Sequence, residues 1–586
     1  MKNIFYTLTM LVFGFIMSGC LDSVDDTGFE PKKPQISFSE QSLDIDQNGG
    51  ELKVNLNTNL PWRLKSDAAW LSISQNTGLE SGELVINVTK NRTRKERVAT
   101  ITAWIIADEP IVMTITQAPA PANESFTYYV KTDGDGLAEG FTWETATTLS
   151  TAIERAADGD KICVAAGAYT PMTLISGGES ENERTFEIHS NFTIEGGYPA
   201  DAAAGAVPDP SKHETIFDGG STSYHVVVVS ALKGDTPAVL KNITITGGKS
   251  YDVHEKLTRI AGETLVDMGI GGGIYIGKSN FVMENCRIQN NYAYLAGGCY
   301  IASGAEVVAR KCIFQSNTSE MNAGAIWNSG GTLYMYDSTV AQNIAGAQAG
   351  GYYSIDGESG RSMSISRIYN CAFYGNDNTK TLLKRSGGAL YIRAGSDAVF
   401  VNCSITGNKA GWGGAISGHG TSALPSKTTF FNCTITGNHA NDGGGGLFVY
   451  NAGATINAYN CIVSGNTTSG YAAESGPLDG VPPTQIKVAN SILGSSLVDE
   501  FGSPSGGWTF SPESMLGEFG LYNGGFSQCF PLIESSANPA VDEGLSNDSL
   551  RELAAGFSPA VEMELLVRDQ NGLARTKKSI GSYTTK

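Results

Sequence analysis

The chain has 586 residues, more than a single hydrophobic core organises, so at least two domains are expected. Only 17% of its residues are charged, glycine alone supplies 71, and the formal net charge is −19. That acidic balance argues against nucleic acid or an anionic membrane surface as a partner, and no internal stretch is long and apolar enough to span a bilayer.

Met1-Lys2-Asn3 followed by the apolar run Ile4 to Met17 reads as a secretory signal over residues 1–19. It ends in Met17-Ser18-Gly19-Cys20, which resembles a bacterial lipoprotein box. The resemblance implies lipid attachment at Cys20 and a protein tethered to the membrane rather than spanning it. Residues 20–33 then read as a tether. Its Asp22, Asp25 and Asp26 resemble the export signal of some outer-membrane lipoproteins, which implies a surface-exposed protein of the cell envelope.

Residues 34–118 have the alternation of an all-β sandwich, in Leu52-Lys-Val54-Asn-Leu56, Leu84-Val-Ile86-Asn-Val88, Val98-Ala-Thr-Ile101 and Ile111-Val-Met113-Thr-Ile115. Pro61-Trp62, Trp70-Leu71, Ser81-Gly82, Asn91, Arg97-Val98-Ala99 and Thr116-Gln117 resemble a BACON-type module, an immunoglobulin-like domain. The resemblance implies carbohydrate binding, with Trp62 and Trp70 as the candidate stacking rings. Both also lie within the alternating framework, where the competing role is sandwich core.

After a linker at 119–127, Leu149, Ala152, Ile153 and Ala156 share one face of a short amphipathic helix, placed to close the open end of whatever follows. Lys161 to Ala165 reads as the first strand, and this entry resembles the start of pectate-lyase-like β-helix proteins. Asp133-Gly-Asp135-Gly136 reads as a turn. Two long loops, Tyr198 to Tyr224 and Lys249 to Met268, interrupt the first coils and are where function is expected.

From Gly271 one phrase keeps returning: Asn285-Cys286-Arg-Ile288, Lys311-Cys312-Ile-Phe314, Asp337-Ser338-Thr-Val340, Asn370-Cys371-Ala-Phe373, Asn402-Cys403-Ser-Ile405, Asn432-Cys433-Thr-Ile435, Asn460-Cys461-Ile-Val463 and Asn490-Ser491-Ile-Leu493. The Cys or Ser positions step by 26, 26, 33, 32, 30, 28 and 30 residues. Such a period, with brief β-type runs broken by Asn and Gly-Gly, predicts a solenoid whose strands pair with their counterparts one coil along. Residues two apart on a strand share a face, so the Cys column and the Ile/Phe/Val column both point inward. The residue that follows each Gly-Gly by two is apolar or aromatic throughout, and the flanking asparagines suit left-handed turns and amide ladders.

Gly413-Gly414-Ala415-Ile416 and Phe314-Gln-Ser-Asn317 resemble the polymorphic outer-membrane-protein repeat, which implies a passenger or adhesin role. Phe530 to Ile533, Ser536 to Gly544, Arg568 to Gly572 and Ile580 to Tyr583 resemble the end of choice-of-anchor Q proteins, which implies secreted β-helices. Residues 511–586 are expected to cap the last coil.

Cys column positions also accept Ser338 and Ser491, which metal ligands would not tolerate, so a stack of buried thiols is expected, with no metal and no cofactor. Gly418-His419-Gly420 lacks the companions of a glycosidase site, and Arg385 and Arg393 with Asp377 and Asp397 read as surface ion pairs on one wall. The fold expected is all-β: an immunoglobulin-like sandwich, then a right-handed parallel β-helix over 128–510 with an N-terminal capping helix. The role expected is non-catalytic glycan binding or surface display, with Trp412, Tyr352, Tyr292 and Tyr294 as further candidate contacts. The alternative is a polysaccharide lyase or hydrolase with its site in the loops between 170 and 270.

Overall fold

The computed structural model describes residues 33–584 except 107–108, 232, 251–256, 358–361, 380–385, 470–473 and 479–480; Cys20, its leader and Arg385 lie outside them. The chain forms two compact units, one ending at Ala122 and one beginning at Asn123.

The first unit packs sheets of four and five strands face to face. Alternation does what the sequence predicts: Val54, Leu56, Leu84, Ile86, Ile101, Met113 and Ile115 fill the space between them. The Asn91, Arg97 and Gln117 side chains knit one end together. Arg97 Nε donates to Gln117 Oε1 at 2.8 Å, and buried Asn91 Nδ2 donates to Ala118 O at 2.9 Å.

The second unit is a parallel β-helix of three sheets. The first sheet has twelve strands from Thr127–Val130 to Ile486–Ala489, and the third has ten from Phe186–Ile188 to Ser475–Pro477. The second has eleven parallel strands from Gly167–Tyr169 to Ser491–Leu493, closed by two antiparallel ones. Thr127–Val130 pairs ahead of Lys161–Ala165, so the solenoid begins one strand earlier than the sequence reading placed it. Leu149–Arg155 is the capping helix; Thr148 Oγ1 accepts from Thr151 N, and Leu149, Ala152 and Ile153 are buried over the first coil.

The repeat phrase is physically a corner. Asn285, Lys311, Asp337, Asn370, Asn402, Asn432, Asn460 and Asn490 all take positive φ, which turns the chain from the first sheet to the second. Next comes the Cys/Ser column. The backbone N–H of Cys403 donates to Cys433 Sγ at 3.4 Å and that of Cys433 to Cys461 Sγ at 3.3 Å. Cys312 N and Cys461 N donate instead to Ser338 Oγ and Ser491 Oγ. The column therefore selects a small hydrogen-bonding side chain, and Cys and Ser both qualify. All nine described cysteines are unbridged and buried.

A second ladder runs one turn later. Asn291, Asn317, Asn343, Asn376, Asn408 and Asn438 each donate from Nδ2 to Oδ1 of the next, ending on Asn466, at 2.9 to 3.1 Å. Glu474 closes the row, accepting from Asn466 Nδ2 at 2.8 Å.

Two expectations change. The long loops are partly structured: Thr215–Asp218 is a strand of the second sheet, and Thr258–Ala261 pairs with Thr264–Asp267 in a hairpin. The C-terminal residues do more than cap the last coil. They run back along the rod, laying Leu550, Val561 and Leu566 against Tyr369, Val401 and Phe431 of the first sheet. On the second sheet, Ser404 Oγ donates to Gln570 Oε1, and Ser582 Oγ bonds Thr434 Oγ1.

Candidate functional site

The third sheet presents an aromatic outer wall, and its register explains why sequence alone blurred it. Gly272, Gly297, Gly324, Gly350, Gly388, Gly414 and Gly445 are one column, and at the first six a Cβ would meet the next coil; at Gly324 it would lie 2.4 Å from Gly350 O. Reading every Gly-Gly as equivalent slips Gly387-Gly388 and Gly413-Gly414 by one place, and a one-residue slip exchanges the faces of a strand. In true register Ile274, Cys299, Ile326, Tyr352, Leu390, Ile416 and Leu447 point inward. Tyr275, Tyr300, Trp327, Tyr353, Tyr391, Ser417 and Phe448 lie on the opposite face, where surrounding segments bury all but Tyr300 and Trp327, which are partly exposed.

The outward rings stack coil on coil. Centroids are 4.8 Å apart for Tyr275 and Tyr300, 6.1 Å for Tyr300 and Trp327, 4.7 Å for Trp327 and Tyr353 and 5.5 Å for Tyr353 and Tyr391. These are tilted or edge-to-face contacts set by the coil rise. Ala296, Ala323 and Ala349, all at positive φ, pack beside them. Arg393, His419 and Tyr450, each two residues further along the chain from Tyr391, Ser417 and Phe448 respectively, form a second, half-buried column. Arg393 Nη1 donates to Tyr353 Oη at 3.0 Å, and the His419 ring sits 5.3 Å from Tyr450.

This wall carries unmet hydrogen-bonding demand. Trp327 Nε1, Arg393 Nε, Ser417 Oγ and His419 Nδ1 are covered atoms that find no partner. Burial, reinforced by the Arg393 guanidinium, holds His419 below its ordinary pKa, so the ring is neutral at pH 7. Burial raises the Tyr353 phenol despite Arg393 beside it, so it stays protonated. The wall is therefore a row of neutral rings and hydrogen-bonding groups beside one guanidinium.

The predicted site residues distribute unevenly. Trp62 is 2% exposed in the sandwich core; its ring lies over Gly78 and its Nε1 donates to Glu80 O at 2.9 Å, so it offers no face to a ligand. Trp70 is half-buried, with the Arg97 guanidinium 4.5 Å from its ring centroid. Tyr352 is inside the solenoid, its hydroxyl against Ser366 Oγ. Trp412 lies at the turn beside the aromatic wall, 5.1 Å from Phe448. Tyr292 lies on a turn strip, and its hydroxyl donates to Glu320 Oε1. Of the expected ion-pair residues, Asp397 pairs with buried Arg367 at 3.1 Å, Arg393 donates to Tyr353, Asp377 Oδ1 accepts from Thr379, and Arg385 lies outside the described residues. Tyr300, Trp327, Tyr353, Tyr391 and His419 come together although the sequence reading did not group them. Trp104, outward on the sandwich opposite Arg63, was also missed; strict alternation through Ile101-Thr-Ala103-Trp104-Ile105 marks it. Among the described residues no group of three or more His, Cys, Asp or Glu is placed to hold a metal ion.

Residues 35–120 match the family model described as the viral BACON domain, and residues 228–345 and 321–479 match the right-handed β-helix region. No curated protein matches the chain. Among solved structures, the crystal structure of pectate lyase Pel9A is 15% identical, covering 72% of this chain and 92% of that one, with a TM-score of 0.44. A rhamnogalacturonan lyase is 11% identical over 62% of this chain and 87% of its own, with a TM-score of 0.29. A Bacteroides ovatus GH5 xyloglucanase in complex with a XXXG heptasaccharide is 14% identical over 36% and 45%, with a TM-score of 0.15.

Proposed function

For this chain, a BACON-type module joined to a right-handed parallel β-helix, we propose a non-catalytic role in glycan binding and display at the cell envelope. The leader ending in Cys20 supports lipid tethering to the outer membrane, with the protein facing outward. One observation carries the binding role. Among the described residues, the hydrogen bonds and apolar contacts of the C-terminal segment fall on the first and second sheets. On the third sheet Tyr300, Trp327, Arg393, His419 and Tyr450 stay partly exposed over the buried rings of Tyr275, Tyr353 and Tyr391. Aromatic edges and faces with interspersed donors suit the alternating CH and hydroxyl surfaces of a sugar chain, and a straight wall suits a linear one. Trp412 belongs at the margin of that surface.

The test is binding of the full chain to a panel of plant and microbial polysaccharides by affinity electrophoresis and calorimetry, with a product assay alongside. Trp327→Ala and Arg393→Ala are expected to weaken binding about tenfold each, the scale of one lost ring or charged hydrogen bond (about 1.4 kcal/mol). Wild-type affinity in both variants, or no ligand across the panel, refutes the proposal. Release of unsaturated or reducing products would replace it with cleavage.

A further inference from the structure

A recess of about 460 Å³ opens on the outer face of the first sheet at the start of the solenoid, far in sequence from the aromatic wall. Its floor is the first three strands, where Tyr129, Cys163 and Glu195 stack in register and Lys161 lies two residues before Cys163. The segment at Phe141 and Trp143 and the loop at Ala204 to Ala206 close its sides. Three rings line up across it: Tyr129 and Trp143 centroids are 4.7 Å apart, and Trp143 and Tyr198 are 5.3 Å apart.

The polar groups behind the rings satisfy one another. The Cys163 thiol donates to Tyr198 Oη at 3.4 Å, Tyr198 Oη donates to Glu195 Oε2 at 3.0 Å, and Lys161 Nζ reaches the same oxygen at 2.6 Å. Burial pushes both the Cys163 thiol and the Tyr198 phenol up, so neither ionises at neutral pH, and the Glu195 carboxylate is engaged by Tyr198 and Lys161. The cluster is a rigid binding surface. Lys161 has three N–H donors and spends one on Glu195, and its side chain is 41% exposed.

Charge selects the ligand. The Lys161 charge is offset by Glu195, and that of Lys131, 5.9 Å from the Trp143 ring centroid, is offset by Glu144, exposed at the rim and held below the ordinary carboxylate pKa by backbone and Thr142 hydrogen bonds. A phosphate or carboxylate ligand would find no uncompensated cation there. A neutral ring needs none. Rings for the CH face of a pyranose, a fixed ammonium for its hydroxyls and closure on two sides together suit one residue rather than a passing chain.

We propose that this recess binds a single neutral or amino sugar, free or at the end of a glycan, with its ring face against Tyr129 and Phe141 and its hydroxyls toward Lys161. The site is separate from the wall on the third sheet and stands or falls independently of it. The probes are methyl glycosides of neutral hexoses, hexosamines and hexuronic acids, measured on the full chain by saturation-transfer NMR and by quenching of indole fluorescence. Binding of neutral or amino glycosides is expected. It should weaken at least tenfold in Tyr129→Leu and in Phe141→Leu, with wild-type melting temperatures, and be unchanged in Trp327→Ala. Short oligosaccharides carrying the preferred residue at one end should bind like the free glycoside. The inference is overturned if no glycoside binds at millimolar concentration, if hexuronates bind best, or if both leucine variants bind normally. It is also overturned if binding needs a long polymer and is lost in Trp327→Ala, an outcome that would leave the wall standing.

Discussion

Replacing Asn376 by alanine probes the device that holds successive coils in register. Its Oδ1 accepts from Asn343 N at 3.1 Å and from Asn343 Nδ2 at 2.9 Å; its Nδ2 donates to Val340 O at 2.9 Å and to Asn408 Oδ1 at 2.9 Å. Asn376 and both neighbouring asparagines are fully buried. Alanine removes four hydrogen bonds but does not orphan four groups. Asn343 Nδ2 keeps Phe314 O, and Asn408 Oδ1 keeps the backbone N–H of residue 376. The backbone N–H of Asn343 is left without its acceptor, costing about 1–3 kcal/mol, and the other three bonds cost about 0.5–1.5 kcal/mol each. The sum is about 2.5–7.5 kcal/mol, toward the lower end if a water enters the vacated space. Because a solenoid coil contacts only its neighbours, the loss concentrates on the rungs around residue 376. Urea unfolding followed by tryptophan fluorescence measures the total, and hydrogen exchange locates it, with the Asn343 amide expected to exchange fastest of the ladder. A loss below about 1 kcal/mol with the Asn343 amide still protected would refute the ladder as a stabilising element.

Cys433→Ser is expected to cost less than about 1 kcal/mol, because Ser338 and Ser491 already fill that column. Cys433→Val should cost about 1–3 kcal/mol by orphaning the buried Cys403 N–H, and thermal melts of the two variants compare them directly. His225 is buried with Nδ1 on Gly271 O at 2.8 Å and Nε2 unpartnered, and burial holds its pKa at about 4, below the ordinary 6.5. A depressed folded pKa on a base means stability present above pH 6.5 and lost as pH falls toward 4, by up to about 3 kcal/mol. In unfolding free energy measured against pH, His225→Phe should flatten that slope; an identical slope in the variant would show that other groups carry it.

Periodicity alone specified most of this molecule. The corner Asn, the small hydrogen-bonding Cys or Ser and the inward Ile, Phe or Val recur because each coil solves the same local problem: a left-handed bend, a satisfied backbone N–H and a filled interior. The register pairs Ile288, Phe314, Val340, Phe373, Ile405, Ile435 and Val463 as the repeat aligns them. The capping helix was legible for a similar reason, since an apolar stripe on seven residues has few places to go.

What needed three dimensions was everything set by a single-residue offset or by distant chain. Tyr352 and Tyr353 are adjacent, yet one reaches Ser366 across the interior and the other joins the outer row, because side chains alternate and only the pairing fixes which face is which. Trp62 and Trp412 look alike as isolated aromatics, and only packing buries the first and sets the second beside a ligand-sized surface. The return path of the C-terminal residues over two walls, and the recess made by Tyr129, Trp143 and Tyr198, join segments separated by up to 226 and 69 residues respectively. No local pattern encodes such meetings; they follow from where the finished rod leaves apolar surface to cover and where it leaves room.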